Sequence, residues 1–210
     1  MFTLSSGMVD RIARRPGGLL GYLLYRFPFG HKTGFDLAFS RLPPARGDLV
    51  LEVGCGGGVF LRRLLKCGCR AIAVDHSPEM IANSGRLNAK ALAAGRLCLH
   101  EADAAALPVS TGTVDKVYCL NAFFFFPRPA ESLAEMARVL KPGGRLALIT
   151  SPPAFRRQIA RFSASMAASM RFDEPEALAG WAEASGLVPI ETREVAGAGY
   201  LFIAGRETAA

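Results

Sequence analysis

The sequence predicts a doubly wound α/β fold, and three of its features carry that expectation. Leu49-Val50-Leu51-Glu52-Val53 is an apolar run rich in branched side chains, the pattern of a strand buried on both faces, and it breaks into Gly54-Cys55-Gly56-Gly57-Gly58. Further apolar strand segments at 71–75, 97–103, 113–121 and 145–150 alternate with segments of helical spacing. At 210 residues the chain is long enough for one such domain with a full core.

Composition narrows the class. Half of the residues are hydrophobic and 20% are charged, which is globular and not disordered. No run approaches the ~20 apolar residues that span a bilayer. The N-terminus has basic residues but no compact apolar stretch with a small-residue cleavage site, so no signal peptide is expected. The five cysteines (Cys55, Cys67, Cys69, Cys98, Cys119) are an odd number, and most sit in or beside apolar segments. They read as reduced core thiols of a cytoplasmic protein. Cys67-Gly68-Cys69 is too tightly spaced for a zinc pair and no histidine follows at ligand distance, so no metal is expected. The net charge of +7 is unevenly placed: residues 1–46 hold seven basic and two acidic side chains, leaving the rest nearly neutral. Charge confined to one short segment, without a recognition motif, disfavours nucleic acid as a partner.

Taken in order, residues 1–45 read as a helical lid over a domain formed by residues 46–210. A helix starts at Val9–Arg15, Pro16-Gly17-Gly18 interrupts it, and Leu19 to Phe27 is apolar with aromatics interleaved. A loop around His31 leads to a short helix from Phe35 to Leu42, stopped by Pro43-Pro44. The plain reading of this segment is an amphipathic cover packed on the core. The functional reading adds contact with an anionic substrate or a membrane surface. After the first strand, Val59 to Leu65 has helical spacing and Gly68 closes it. Glu52 is the odd residue of that strand, because a buried carboxylate costs several kcal/mol unless a protein or ligand donor meets it.

The second strand ends at Asp75, which lies 21 positions after Gly54. That is close to the ~20-residue offset at which a carboxylate meets ribose hydroxyls in doubly wound nucleotide sites. Ser77-Pro78-Glu79 opens a helix with a cap, an early proline and an acidic first turn, expected to run to about Ala94 before Gly95. Asp103 ends the third strand segment, and His100 within it reads as structural. Asn121 ends the fourth, on the ligand edge of an open sheet. Phe123-Phe124-Phe125-Phe126 cannot all face one way, so the four divide between core and cleft. Pro129 opens a helix with Leu133, Met136, Ala137 and Leu140 on one stripe, ending at Lys141-Pro142-Gly143-Gly144 before the fifth strand. Residues 151–170 read as a mobile connection near the cleft. Asp173 and Glu176 are expected to cap a helix that ends at Gly186, and 188–196 and 199–206 form a terminal hairpin.

The glycine spacing discriminates between cofactors. A dinucleotide fingerprint needs glycine at position 59, which is Val59. Glu52-x-Gly54-x-Gly56-x-Gly58 instead resembles the first motif of the class I S-adenosylmethionine-dependent methyltransferases. Arg138-Val139-Leu140-Lys141-Pro142-Gly143-Gly144-Arg145 before a strand is similar to a second signature of that family. The resemblance covers residues 46 to 150 and rests on the joint order of its motifs. It implies a Rossmann-like, seven-stranded, mostly parallel sheet with an antiparallel last strand. It also implies S-adenosyl-L-methionine as cofactor and methyl transfer to O, N or C of a small-molecule acceptor, with a phospholipid or other membrane-associated acceptor as the alternative. In that pattern Glu52, Gly54, Gly56 and Gly58 surround the methionyl end, and Asp75 takes the ribose hydroxyls. His76 and Met80 flank the adenine, Asp103 and Ala104 meet its edge, and Asn121 closes the methionyl side. The chain lacks both the Asn-Pro-Pro-Tyr tetrad of enzymes that methylate nucleic-acid amino groups and a catalytic cysteine motif. A general base is needed only if the acceptor must first lose a proton; His31 is the candidate, and its other reading is a loop histidine in solvent.

Overall fold

The computed structural model describes residues 32–196 and 199–208. Its sheet has seven strands: β1 (Leu49–Val53), β2 (Arg70–Asp75), β3 (Leu97–Glu101), β4 (Val114–Leu120), β5 (Leu140–Thr150), β6 (Leu187–Val195) and β7 (Gly199–Arg206). They lie in the order β3-β2-β1-β4-β5-β7-β6. The pairs up to β5 are parallel, while β7 runs antiparallel to both β5 and β6. The order explains where a ligand can bind. From β1 the chain steps outward through β2 and β3, then returns to place β4 on the other side of β1. The connections after β1 and β4 therefore leave on opposite sides and open a crevice at the carboxyl ends of these two strands.

Side chains alternate between two cores, one on each face of the sheet. Val50, Tyr118, Leu120, Ile149, Leu201 and Ile203 face one way, under α1 (Lys32–Arg41) and α2 (Val59–Leu65). Leu51, Val53, Val117, Leu148 and Phe202 face the other, under α5 (Pro129–Val139) and α8 (Pro175–Ala184). Between them in sequence come α3 (Pro78–Leu87), α4 (Ala89–Ala93), α6 (Arg156–Phe162) and α7 (Ala164–Ser169).

Four sequence expectations are corrected by the structure. The helix opening at Ser77 does not run unbroken to Ala94. It breaks at Asn88, whose amide turns inward to donate to the Gly58 and Ser84 carbonyls at 3.1 and 3.0 Å. Residues 141–144 are not a loop but part of β5, which begins at Leu140 opposite Val114. A register shift follows between Val114 and Lys116, with Gly143 at φ 77°. Asp173 does not cap α8. The cap position is Glu174, without a side-chain bond, and Asp173 pairs with Arg171 instead. Residues 151–170 are two short helices and a turn of 3-10 helix at Pro153–Phe155.

The N-terminal segment divides. Residues 1–31, which include His31 and most of the expected lid, lie outside the described residues. The described part, α1, is a layer of the core. Ala38 and Leu42 are buried, Phe35 packs on Phe60 with ring centroids 5.1 Å apart, and Tyr118 donates to the Leu42 carbonyl at 2.6 Å. Such a buried hydrogen bond contributes about 1 kcal/mol. Burial also raises the Tyr118 phenol well above its ordinary pKa, keeping it protonated as the donor. The N-terminal end of α1 lies at the ligand edge. A Cβ on Gly34 would stand 3.0 Å from the Ile149 side chain and 3.9 Å from the Asn121 amide.

Candidate functional site

The glycine turn is fixed from three sides. As β1 ends, the Gly54 and Cys55 N–H groups donate to the Val74 carbonyl at 2.8 and 3.1 Å, which holds the turn against β2. Gly54 has φ 75°, and a Cβ there would overlap that of Ala122 in the turn after β4. Glycine is needed at this position for both reasons. Gly58, at φ 77°, precedes α2, and a Cβ there would strike Ser84 and Asn88 of the α3 region. Gly56, with φ 49°, donates its N–H to Asp75 Oδ2 at 2.9 Å. Two of the motif glycines are therefore set by close packing of neighbouring elements, and the third by a carboxylate at the end of the next strand.

Asp75 is the hinge of the arrangement. It is buried, and its Oδ1 accepts from the Ser77 N–H at 3.0 Å while Oδ2 holds Gly56. The Ser77 hydroxyl in turn caps α3 by accepting from the Met80 N–H at 3.4 Å. A carboxylate offers about four lone-pair sites. Two are used by the main chain, and the remaining capacity suits the paired hydroxyls of a ribose. His76 Nδ1 stands 3.4 Å from Asp75 Oδ1 with its ring half-exposed, whereas Met80 is buried.

Glu52, Asn121 and Thr150 end β1, lie just beyond β4 and end β5. Glu52 is 4% exposed and its Oε2 has no partner among the described residues. Burial, and then the charge of Asp75, push its carboxyl pKa well up, with the Leu61 N–H opposing. Asn121 is the non-glycine residue at positive φ among those described, at 59°, and its Nδ2 is buried without a partner. Thr150 is fully buried, and its Oγ1 is also unpartnered. Orphaned buried polar atoms are rare and costly in native proteins. Glu52 at the end of β1 and Asn121 just beyond the neighbouring β4 supply an acceptor and a donor beside the glycine turn, a pair that fits an amino-acid moiety bearing an ammonium and a carboxylate, whereas Thr150 alternates with Ile149 onto the face of Leu148 and Tyr200. Thr150 escaped the sequence reading; its one signal is a hydroxyl closing an otherwise apolar strand.

Asp103 lies beyond β3 and is half-exposed. Its Oδ1 accepts from the Ala105 N–H at 2.8 Å and its Oδ2 from Arg128 Nη2 at 2.8 Å. The Ala105 N–H above all holds its pKa below the usual carboxylate value, and Arg128 adds to it against the opposing desolvation. Ala104 beside it is buried. Arg128 is a second residue that the sequence did not mark. The motif cysteine is inert by contrast: burial raises the Cys55 thiol far above its ordinary pKa, and the nearby Asp75 and Glu52 charges add to the effect.

The turn after Asn121 divides the four phenylalanines between core and surface, with 3-10 helix over Phe123–Phe125. Phe123 is buried and Phe124 nearly so, while Phe125 and Phe126 are half-buried. The two groups meet edge to face, Phe123 on Phe126 at 5.7 Å and Phe124 on Phe125 at 4.7 Å. Arg171 pins the turn. Its N–H donates to the Phe124 carbonyl at 2.8 Å, and its Nη1 donates to the Phe126 carbonyl at 2.7 Å. Its guanidinium stands 5.5 Å from both the Phe123 and Trp181 rings and is paired with the Asp173 carboxylate.

The fold and this site are similar to those of the class I S-adenosylmethionine-dependent methyltransferases. Residues 51–148 match the family model described as a methyltransferase domain. The ubiquinone biosynthesis O-methyltransferase of Xanthomonas oryzae pv. oryzae is 35% identical over 125 residues, covering 57% of this chain and 51% of that protein. A chloroplastic methyltransferase of Arabidopsis thaliana is 34% identical over 123 residues, covering 56% and 34%. The chain thus matches about half or less of the length of these curated relatives. Among solved structures, a chain in the complex of the Haloferax volcanii Trm112 methyltransferase activator with a methyltransferase is similar at a TM-score of 0.74. It shares 22% identity, with 87% of this chain and 92% of that one covered. Magnesium protoporphyrin IX methyltransferase from Synechocystis PCC 6803, solved with bound S-adenosylhomocysteine, has a TM-score of 0.72 at 19% identity, covering 97% and 95%. Both likenesses bear on the fold.

Proposed function

We propose that this chain transfers the methyl group of S-adenosylmethionine to an O, N or C atom of a small-molecule acceptor. The observation that carries the reading is the pair of buried atoms on Glu52 and Asn121 that have no partner among the described residues, at the strand ends beside the glycine turn. The bound sulfonium would supply an activated methyl group. The work left to the chain is positioning and water exclusion. Glu52 and Asn121 orient the methionyl end, Asp75 fixes the ribose, and Asp103 with Ala104 meets the adenine edge. The phenylalanine turn, held by Arg171, forms an apolar wall where the acceptor approaches. The cytoplasm, or another reducing compartment, suits five unpaired cysteines. The Xanthomonas and Synechocystis relatives are named for small-molecule reactions, which supports a small acceptor here.

Of the segment 1–45, α1 is a layer of the core, and residues 1–31 are assigned in this proposal to the cover of the site. The support is topological: the chain enters α1 beside Asn121, so what precedes it starts from the ligand edge. His31 would join the site on that route as a general base. A phospholipid or other membrane-associated acceptor is the second reading, favoured by the five net positive charges of residues 1–46. The test is mass spectrometry of a metabolite extract incubated with the protein and deuteromethyl-labelled cofactor. The expected outcome is a labelled product in the polar or the lipid fraction. No labelled product, together with no S-adenosylhomocysteine binding by calorimetry, would overturn the assignment.

A further inference from the structure

Resting on the methyl-transfer reading, the charge around the cleft carries the argument to the class of acceptor. β5 ends at Thr150 on the ligand edge, and the next 22 residues, 151–172, contain Arg156, Arg157, Arg161 and Arg171 and no acidic residue. Arg171 is consumed by Asp173 and the Phe126 carbonyl. Other arginines around the fold are paired as well: Arg128 with Asp103 and Glu131, Arg138 with Glu135, and Arg63 with Asp36.

Arg156 differs. Its guanidinium lies over the Phe172 ring, 5.0 Å from the centroid, and among the described residues it has no carboxylate or carbonyl partner. Phe172 directly follows Arg171, whose N–H is bonded to the Phe124 carbonyl. Arg156 therefore packs on the residue next to the one that Arg171 fixes to the aromatic turn. A guanidinium held over an aromatic ring loses little freedom on binding and keeps N–H groups for a bidentate oxyanion. Arg157 and Arg161, both exposed on the same helix, add positive potential at the rim. Half-buried Phe125 and Phe126 offer apolar surface to the rest of the ligand.

We propose that the methyl acceptor is an anion, an apolar body bearing a carboxylate or phosphate, and that Arg156 receives the charged group. Naphthyl phosphate, naphthoate and neutral naphthalenemethanol, titrated by calorimetry into the full chain saturated with S-adenosylhomocysteine, test this. The two anions should bind about tenfold or more tighter than the alcohol. Arg156→Gln should erase that preference while leaving the alcohol, the S-adenosylhomocysteine affinity and the melting temperature unchanged. Arg156→Lys, which keeps the charge but loses the planar fork, should fall between. Equal affinities for charged and neutral probes, no binding of either anion, or a preference that survives Arg156→Gln would each overturn the proposal. Sedimentation with phosphatidylglycerol vesicles that Arg156→Gln abolishes would place the anion on a lipid headgroup, and binding of the soluble probes alone would place it on a free acceptor. If S-adenosylhomocysteine fails to bind the unaltered chain, it is the methyltransferase reading that fails, independently of Arg156.

Discussion

The two ends of the sheet treat their polar groups in opposite ways. Where the parallel strands begin, the charges are matched. Asp48 accepts from the Ala45 N–H at 2.7 Å and pairs with Lys116, while Asp115 accepts from the Leu49 N–H at 2.8 Å and pairs with Lys141 at 2.6 Å. Where the strands finish, Glu52, Asn121 and Thr150 keep buried atoms without partners among the described residues. One end closes the fold on itself. The other leaves a cost of several kcal/mol standing, which a ligand would relieve. The comparison predicts that substitutions at the two ends separate stability from binding.

The largest expected effect is at Glu52. Glu52→Gln keeps the shape but replaces one acceptor oxygen with a donor and abolishes the charge, so affinity for S-adenosylhomocysteine should fall by about 3 kcal/mol, more than a hundredfold, by calorimetry. Without ligand the variant should be more stable than the native chain at neutral pH, by about 1 kcal/mol. The sign follows from the direction of the shift. The folded pKa of Glu52 is raised, so its contribution to stability is full in acid and is lost as pH rises through the folded value. The advantage of Glu52→Gln in thermal melts should therefore grow with pH. An advantage that shrinks with rising pH would mean that Glu52 is already paired in the free protein.

Asp75 belongs to both ends of the comparison, because it serves the fold and faces the crevice. Asp75→Ala removes the acceptors of the Gly56 and Ser77 N–H groups, and with them the lone pairs proposed to receive a ribose. Cofactor affinity should fall by about 1.5–3 kcal/mol and stability by a similar amount. A loss confined to stability would remove Asp75 from the cofactor site. At the opposite end, Asp115→Asn should lower stability by about 1–2 kcal/mol in denaturant melts while cofactor affinity stays unchanged. Asp115 is held below its ordinary pKa by Lys141 and the Leu49 N–H in spite of burial, so its contribution is present at neutral pH and lost as pH falls through that lowered value.

How much of this was legible in the sequence follows the range of the interactions. Strand centres, the glycine turn and the terminal hairpin are local patterns, and the sheet forms from them with its last strand antiparallel. Glu52 and Asp75 were legible as carboxylates at the ends of apolar strands, and the structure gathers them with the glycines at one edge. The side chains that organise the site from a distance were not. Asn88 reaches the glycine turn across 30 positions, Arg128 reaches Asp103 across 25, and Arg171 reaches Phe126 across 45. No local period marks such residues, since each looks like an ordinary polar side chain on a helix or loop. The role of α1 was hidden for a related reason. Its ten residues carry a weak apolar stripe, and its seat on the sheet depends on Gly34 and Ala38 being small where Ile149 and its neighbours press in.

The smallest expected effect is at Arg128, and it sharpens the comparison because Arg128 is a paired charge at the unpaired end. Its contacts to Asp103 and Glu131 are solvent-exposed. Exposed pairs of this kind contribute little and are screened by salt. Arg128→Gln should leave the melting temperature unchanged. Asp103 keeps the Ala105 N–H, so its carboxylate stays aimed as before and cofactor affinity should fall only about two- to threefold, less at high salt. Calorimetry at two salt concentrations measures this. A tenfold loss that salt does not reduce would mean that Arg128 itself touches the cofactor, and the adenine edge would then be held by a cation as well as by Asp103.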